Sequence, residues 1–151
     1  MRALALATAL SVSACTAFGG GGGAQSVMVN SNLRPEALEA AAIAYLDANG
    51  FTVSLLADST YVTAPKVIPE RARTTTTQDQ QWVLQIKAEK QFLLAGSKLR
   101  VNGYIIPAAS SAPVDTMTIR QALPITSRNP VLFNEVQTVA NAIINAAEKK
   151  S

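Results

Sequence analysis

The chain has 151 residues, 48% apolar and only 15% charged, and its thirteen basic and ten acidic side chains give a formal charge of +3. Such a composition builds a globular core rather than a disordered tail, within one domain of ordinary size. There is no histidine and a single cysteine, which removes the commonest general base, the commonest metal ligand, every histidine-dependent triad and any disulfide framework.

The N-terminus reads as an export signal. Arg2 is the only charge before Arg34, and Ala3 to Val12 is a predominantly apolar run of ten residues. That length suits a signal-peptide core and falls well short of the ~20 apolar residues a membrane span needs. Ser13-Ala14 then supplies the small residues a signal peptidase requires, just before Cys15. Val12-Ser13-Ala14-Cys15 resembles the lipobox of bacterial lipoproteins. The resemblance implies cleavage before Cys15 and lipid on its thiol. Thr16 in place of Asp implies, by the same resemblance, sorting to the outer membrane. A secreted protein with a leftover thiol is the alternative. Gly19 to Gly23 then form a tether, so the expected organisation is signal peptide 1–14, lipidated cysteine and Gly-rich tether 15–25, and a single α+β domain 26–151. A phosphate-cradling loop would need a strand before the glycines and a helix after them, and neither is expected there.

In the mature chain, Gln25 to Asn30 alternates weakly and reads as a first strand. Asn32 to Asn49 reads as a helix, with Pro35 in its first turn and Glu36 and Glu39 near its positive end. Leu38, Ala41, Ala42, Tyr45 and Leu46 form its apolar stripe. Gly50 suits a left-handed cap, with Phe51 packing back on the last turn. Phe51 to Leu56 and Thr60 to Thr63 alternate as strands around a turn at Asp58-Ser59. Glu70 to Gln81, with threonines at Thr74 to Thr77, reads as an exposed extended segment or loop.

Trp82 to Leu94 carries the strongest strand signal. Trp82, Leu84, Ile86 and Ala88 alternate with Gln85, Lys87 and Glu89, the pattern of an antiparallel sheet with one wet face. Ala95-Gly96-Ser97 reads as a short hairpin turn. Lys98 to Ile106 returns with Leu99, Val101, Gly103 and Ile105 inward. Gly103, mid-strand, marks a bulge or the close approach of a helix. Pro107 to Pro113 reads as a surface loop, Asp115 to Arg120 as a short edge strand and Leu123 to Arg128 as a connector. The last helix begins at Asn129-Pro130, a cap and a first-turn proline. Its stripe is Leu132, Val136, Val139, Ala140, Ile143, Ile144 and Ala147, and Lys149 and Lys150 lie at its negative end.

The element order β-α-β-β-β-β-α predicts an α+β two-layer sandwich, an antiparallel sheet of about 4–6 strands with two helices on one face. As a pattern of elements it is similar to small α+β envelope lipoproteins, such as the repeated domains of the BamC assembly lipoprotein. Chemistry is sparse. With Cys15 acylated no thiol nucleophile remains, and the acids are spread singly. A carboxylate pair for glycoside hydrolysis would have to assemble from Asp58, Asp79 or Asp115, against the ordinary reading of solvated acids. Trp82 reads as a core anchor, with a partner hot spot as the alternative. Lys87, Glu89, Lys98, Arg100 and Tyr104 share the expected wet face and are the candidate docking surface, the plainer reading being a solvated face.

The function expected is therefore a lipid-anchored protein of the bacterial cell envelope, facing the periplasm from the outer membrane. It would act as a non-catalytic scaffold or adaptor docking another envelope protein. A periplasmic small-molecule or lipid carrier, with an apolar cavity between sheet and helices, is the alternative. No catalytic residue, cofactor or metal is expected. The basic residues are scattered and form no run, so no nucleic-acid partner is expected either.

Overall fold

A computed structural model describes residues 25–75, 77, 79–107 and 114–150. The expected signal peptide, Cys15, the glycine tether, Thr76 and most of the 107–113 loop lie outside the described residues.

Among the described residues, seven strands form one antiparallel sheet in the order β1-β6-β5-β3-β2, with β4 beside β5 and β7 beside β6. The strands are β1 (Val27–Ser31), β2 (Val53–Ala57), β3 (Thr60–Thr63), β4 (Lys66–Val67), β5 (Gln80–Lys90), β6 (Ser97–Pro107) and β7 (Leu123–Pro124). The helices are α1 (Pro35–Ala48), α2 (Thr116–Gln121) and α3 (Pro130–Lys149), and a 3₁₀ turn spans Glu70–Ala72. The α+β plan is the expected one. The count exceeds about 4–6 strands because β4 and β7, each only two residues long, join the edges of β5 and β6.

The alternation of β5 and β6 decides the layering. Their register pairs Leu84 with Gly103, Ile86 with Val101 and Ala88 with Leu99. These residues face α1 and α3 and join one core with Leu38, Leu46, Val136 and Ile143. Each large side chain buried there contributes roughly 1.5–3 kcal/mol before entropy is counted. Gly103 keeps its regular partner, so it is not a bulge. A β-carbon there would lie 2.6 Å from a Val136 methyl and 2.9 Å from that of Ile125, so the glycine lets α3 approach the sheet. The α1 cap forms as the sequence implies. Gly50 has φ +78°, and the N–H groups of Phe51 and Gly50 donate to the carbonyls of Leu46 and Asp47, a Schellman closure. Phe51 meets buried Trp82 edge to face at 6.2 Å.

Four local expectations change. Residues 115–120 were expected as an edge strand, yet they form α2. The Thr-Met-Thr-Ile alternation mimics a strand, but the Asp115 carboxylate accepts from the Thr118 N–H at 2.7 Å and caps a helical turn. This helix lies on the sheet face opposite α1 and α3. Ile119 and Ala122 there pack against Val62, Val83 and Ile106, so that face is only partly wet. The 70–81 segment is not simply exposed. Ala72 and Thr77 are buried, Thr77 Oγ1 accepts from the Thr74 N–H at 2.8 Å, and Arg71 grips Glu135 of α3 with two hydrogen bonds of 2.6 and 2.7 Å. Residues 123–124, expected as connector, pair with β6 at Tyr104 and Ile105. Lastly, β5 stops at Lys90 and the hairpin connection runs over residues 91–96, longer than the expected turn at Ala95-Gly96-Ser97.

Candidate functional site: the polar face of the β5–β6 hairpin

Strand parity places all five expected docking residues on the face away from α1 and α3. Lys87 stands opposite Arg100, Glu89 opposite Lys98, and Val83 opposite Tyr104. Two cations directly across from one another repel, and Glu89 relieves the pair diagonally. Arg100 Nη2 donates to Glu89 Oε2 at 3.1 Å, and Lys98 Nζ lies 3.6 Å from the same oxygen. Burial works to raise the Glu89 carboxyl. The Arg100 hydrogen bond and the charges of Arg100, Lys98 and Lys87 outweigh it and hold the group below its ordinary value.

Tyr104 belongs to a different neighbourhood. Its ring packs on the small apolar cluster under α2, and its hydroxyl donates to Gln85 Oε1 at 3.3 Å. Burial raises the phenol above its ordinary value. Asn102 Nδ2 donates to the same Gln85 oxygen at 3.1 Å, so Gln85 and Asn102 link the tyrosine end to the charged end.

Between these ends lies a shallow concavity of about 100 Å³, lined by Thr60, Gln85, Ile86, Lys87, Arg100 and Asn102. Arg100 Nε and Asn102 Oδ1 are buried, with no hydrogen-bond partner among the described residues. Unpaired buried polar atoms are costly. Here one is a donor and the other an acceptor, a combination that matches an amide or another group able both to accept and to donate. Thr60, Gln85 and Asn102 were not among the expected docking residues. Their outward parity on the strands was the signal for them.

The hairpin tip carries the larger omission. Phe92, Leu93 and Leu94 are 88%, 88% and 67% exposed. A break in alternation marks them in the sequence, since three successive apolar residues cannot all face one side of a strand. A second concavity, of about 430 Å³, is lined by Arg34, Pro35, Glu36, Lys90, Leu94, Ala95 and Gly96 beside this tip.

The remaining candidates take structural places. Trp82 is core. Asp115 caps α2, and hydrogen bonds from Thr118 hold its carboxyl low. Asp58 lies in the β2–β3 turn, whose following residue Thr60 pairs with Lys87, whereas Asp79 precedes β5 at its other end. Among the described residues no group of three or more Asp, Glu, Cys or His side chains could hold a metal ion, and no helix is long and apolar enough to cross a membrane. Between the sheet and the two long helices, Leu38, Leu46, Leu84, Leu99 and Ile143 are fully buried, and neither concavity opens there. Comparison of the chain with protein-family models and with curated proteins finds no match.

Proposed function

We propose that this chain is a lipid-anchored protein of the bacterial cell envelope, held through lipid on Cys15 at the outer membrane and facing the periplasm. It works as a non-catalytic scaffold that docks another envelope protein on the polar face of the β5–β6 hairpin. The observation that carries the docking surface is that Arg100 Nε and Asn102 Oδ1, buried without a partner among the described residues, belong to residues lining one concavity beside the Lys87–Glu89–Lys98–Arg100 cluster. The lipobox resemblance carries the anchor.

Two measurements test the two halves separately. Envelope fractionation compares wild type with Cys15→Ser. Wild type sediments with membranes and the variant is released, whereas equal solubility of both removes the anchor. Photo-crosslinking from position 87 tests the face. It yields one discrete adduct that is lost in Arg100→Glu, while crosslinking from position 148 on α3 does not yield it. An adduct unchanged by Arg100→Glu, or obtained equally from both positions, removes the docking surface.

A further inference from the structure

We propose that the tip of the β5–β6 hairpin, Phe92-Leu93-Leu94, inserts into the interfacial layer of a bilayer that carries anionic headgroups. The other exposed large apolar residues, Leu55, Val67, Met117, Leu123 and Val131, are spaced singly along the chain, as on any protein surface. Among the described residues, only at the tip are three of them consecutive, at the free end of the two longest strands.

The tip is held in shape. Leu93 has φ +62°, in the left-handed region that a side chain with a β-carbon enters only at a cost. Gly96 has φ +93°, and a β-carbon there would collide with the Ser31 carbonyl oxygen, so the loop is pressed against the end of β1. Gln91 Nε2 donates to the Ser97 carbonyl at 2.9 Å and fastens the loop's base.

Charge favours an anionic lipid surface over an apolar protein pocket. Exposed Arg34 and Lys90 border the concavity beside Leu94, against one carboxylate, Glu36. Long basic side chains beside inserted apolar residues reach back to anionic headgroups. The reach is also compatible with an anchor at Cys15. Val27 pairs with Val101, so Gln25 lies roughly 20 Å along β6 from Ser97, where the tip loop ends. The segment from Cys15 to Gln25 can extend at most about 35 Å. An acyl group there and the tip can share one bilayer, and a second membrane contact is what a single weak one needs for stable attachment.

The test uses the mature chain, from position 15 onward and bearing Cys15→Ser, so that vesicle binding stands or falls apart from both the signal peptide and the lipid anchor. The chain floats with vesicles of phosphatidylethanolamine and phosphatidylglycerol. Replacing Phe92, Leu93 and Leu94 together by Ser lowers its partition at least about tenfold while leaving its melting curve in place. Arg34→Glu with Lys90→Glu weakens binding to these vesicles but not to phosphatidylcholine vesicles. In Phe92→Trp, emission shifts to the blue on binding and is quenched by brominated acyl chains, while buried Trp82 gives a constant background. Three results would overturn the proposal: no flotation of the Cys15→Ser chain, flotation unaffected by the triple replacement, or a tip-dependent dimer in sedimentation without flotation, which would assign the tip to a second copy of the chain.

Discussion

Val83 and Leu94 belong to the same hairpin, yet Val83 is fully buried and Leu94 is mostly in solvent. At the base of the β5–β6 hairpin α3 covers one face through Val136, and Ile119 of α2 covers the other. At the tip, Phe92 and Leu93 are left exposed by the described residues. The two regions have similar apolar content but different neighbours in space. Strand alternation tells which way a side chain points, while burial depends on what distant chain arrives above it. An apolar run left exposed by the described residues is therefore the feature on which the proposed membrane contact rests.

The largest effect expected from this contrast is a pair of leucine truncations. Leu84→Ala removes a fully buried side chain beneath the long helices and should cost about 2–5 kcal/mol in denaturant unfolding. Leu93→Ala, in the same hairpin, should leave stability within about 0.5 kcal/mol of wild type. Equal losses at both sites would mean that the tip packs against the domain in solution, and the contrast would be gone.

Gly103→Ala sharpens the base. The added methyl meets Val136 of α3 and the Ile125 side chain well inside ordinary contact, and overpacking of this kind costs about 1–3 kcal/mol. Both neighbours are side chains with some freedom, which argues for the lower half of that range. A thermal melt reads it, and an unchanged melt would show that α3 stands farther from the sheet than the structure has it.

Most of the fold was legible because the long elements carry strong periods. The stripe from Leu132 to Ala147 and the alternation from Trp82 to Ala88 can each be satisfied in one way only, and together they set two helices against one sheet face. Short elements were not legible. In Thr116–Gln121 a period-2 pattern competes with a single capping carboxylate, and the cap wins because Ile119 and Ala122 find an apolar cluster to cover. The Lys66–Val67 and Leu123–Pro124 strands exist only because β5 and β6 offer free edges. Of the candidate face, Lys87, Glu89, Lys98 and Arg100 were readable from parity alone. That Tyr104 sits apart from them depends on α2, which local pattern did not reveal.

The smallest effect concerns the charged cluster between base and tip, where neither region dominates. Glu89 titrates below its ordinary value in the folded chain. Its ion pairs therefore contribute stability above the ordinary glutamate value of about 4.3, and that contribution is lost as pH falls through the lower folded value. Glu89→Gln should be less stable than wild type near neutrality, by roughly 0.5–1 kcal/mol for a partly exposed pair. The gap should close in acid and shrink with added salt, because the carboxylate being compared disappears or is screened. Glutamine keeps the shape and can still accept from Arg100, so what is lost is chiefly the charge that separates Lys87 from Arg100. If the variant instead matches wild type at every pH, Glu89 does not offset that repulsion within the fold. The cluster would then be a surface poised for a partner's carboxylate, and position 87 would become the first place to seek the crosslinked adduct.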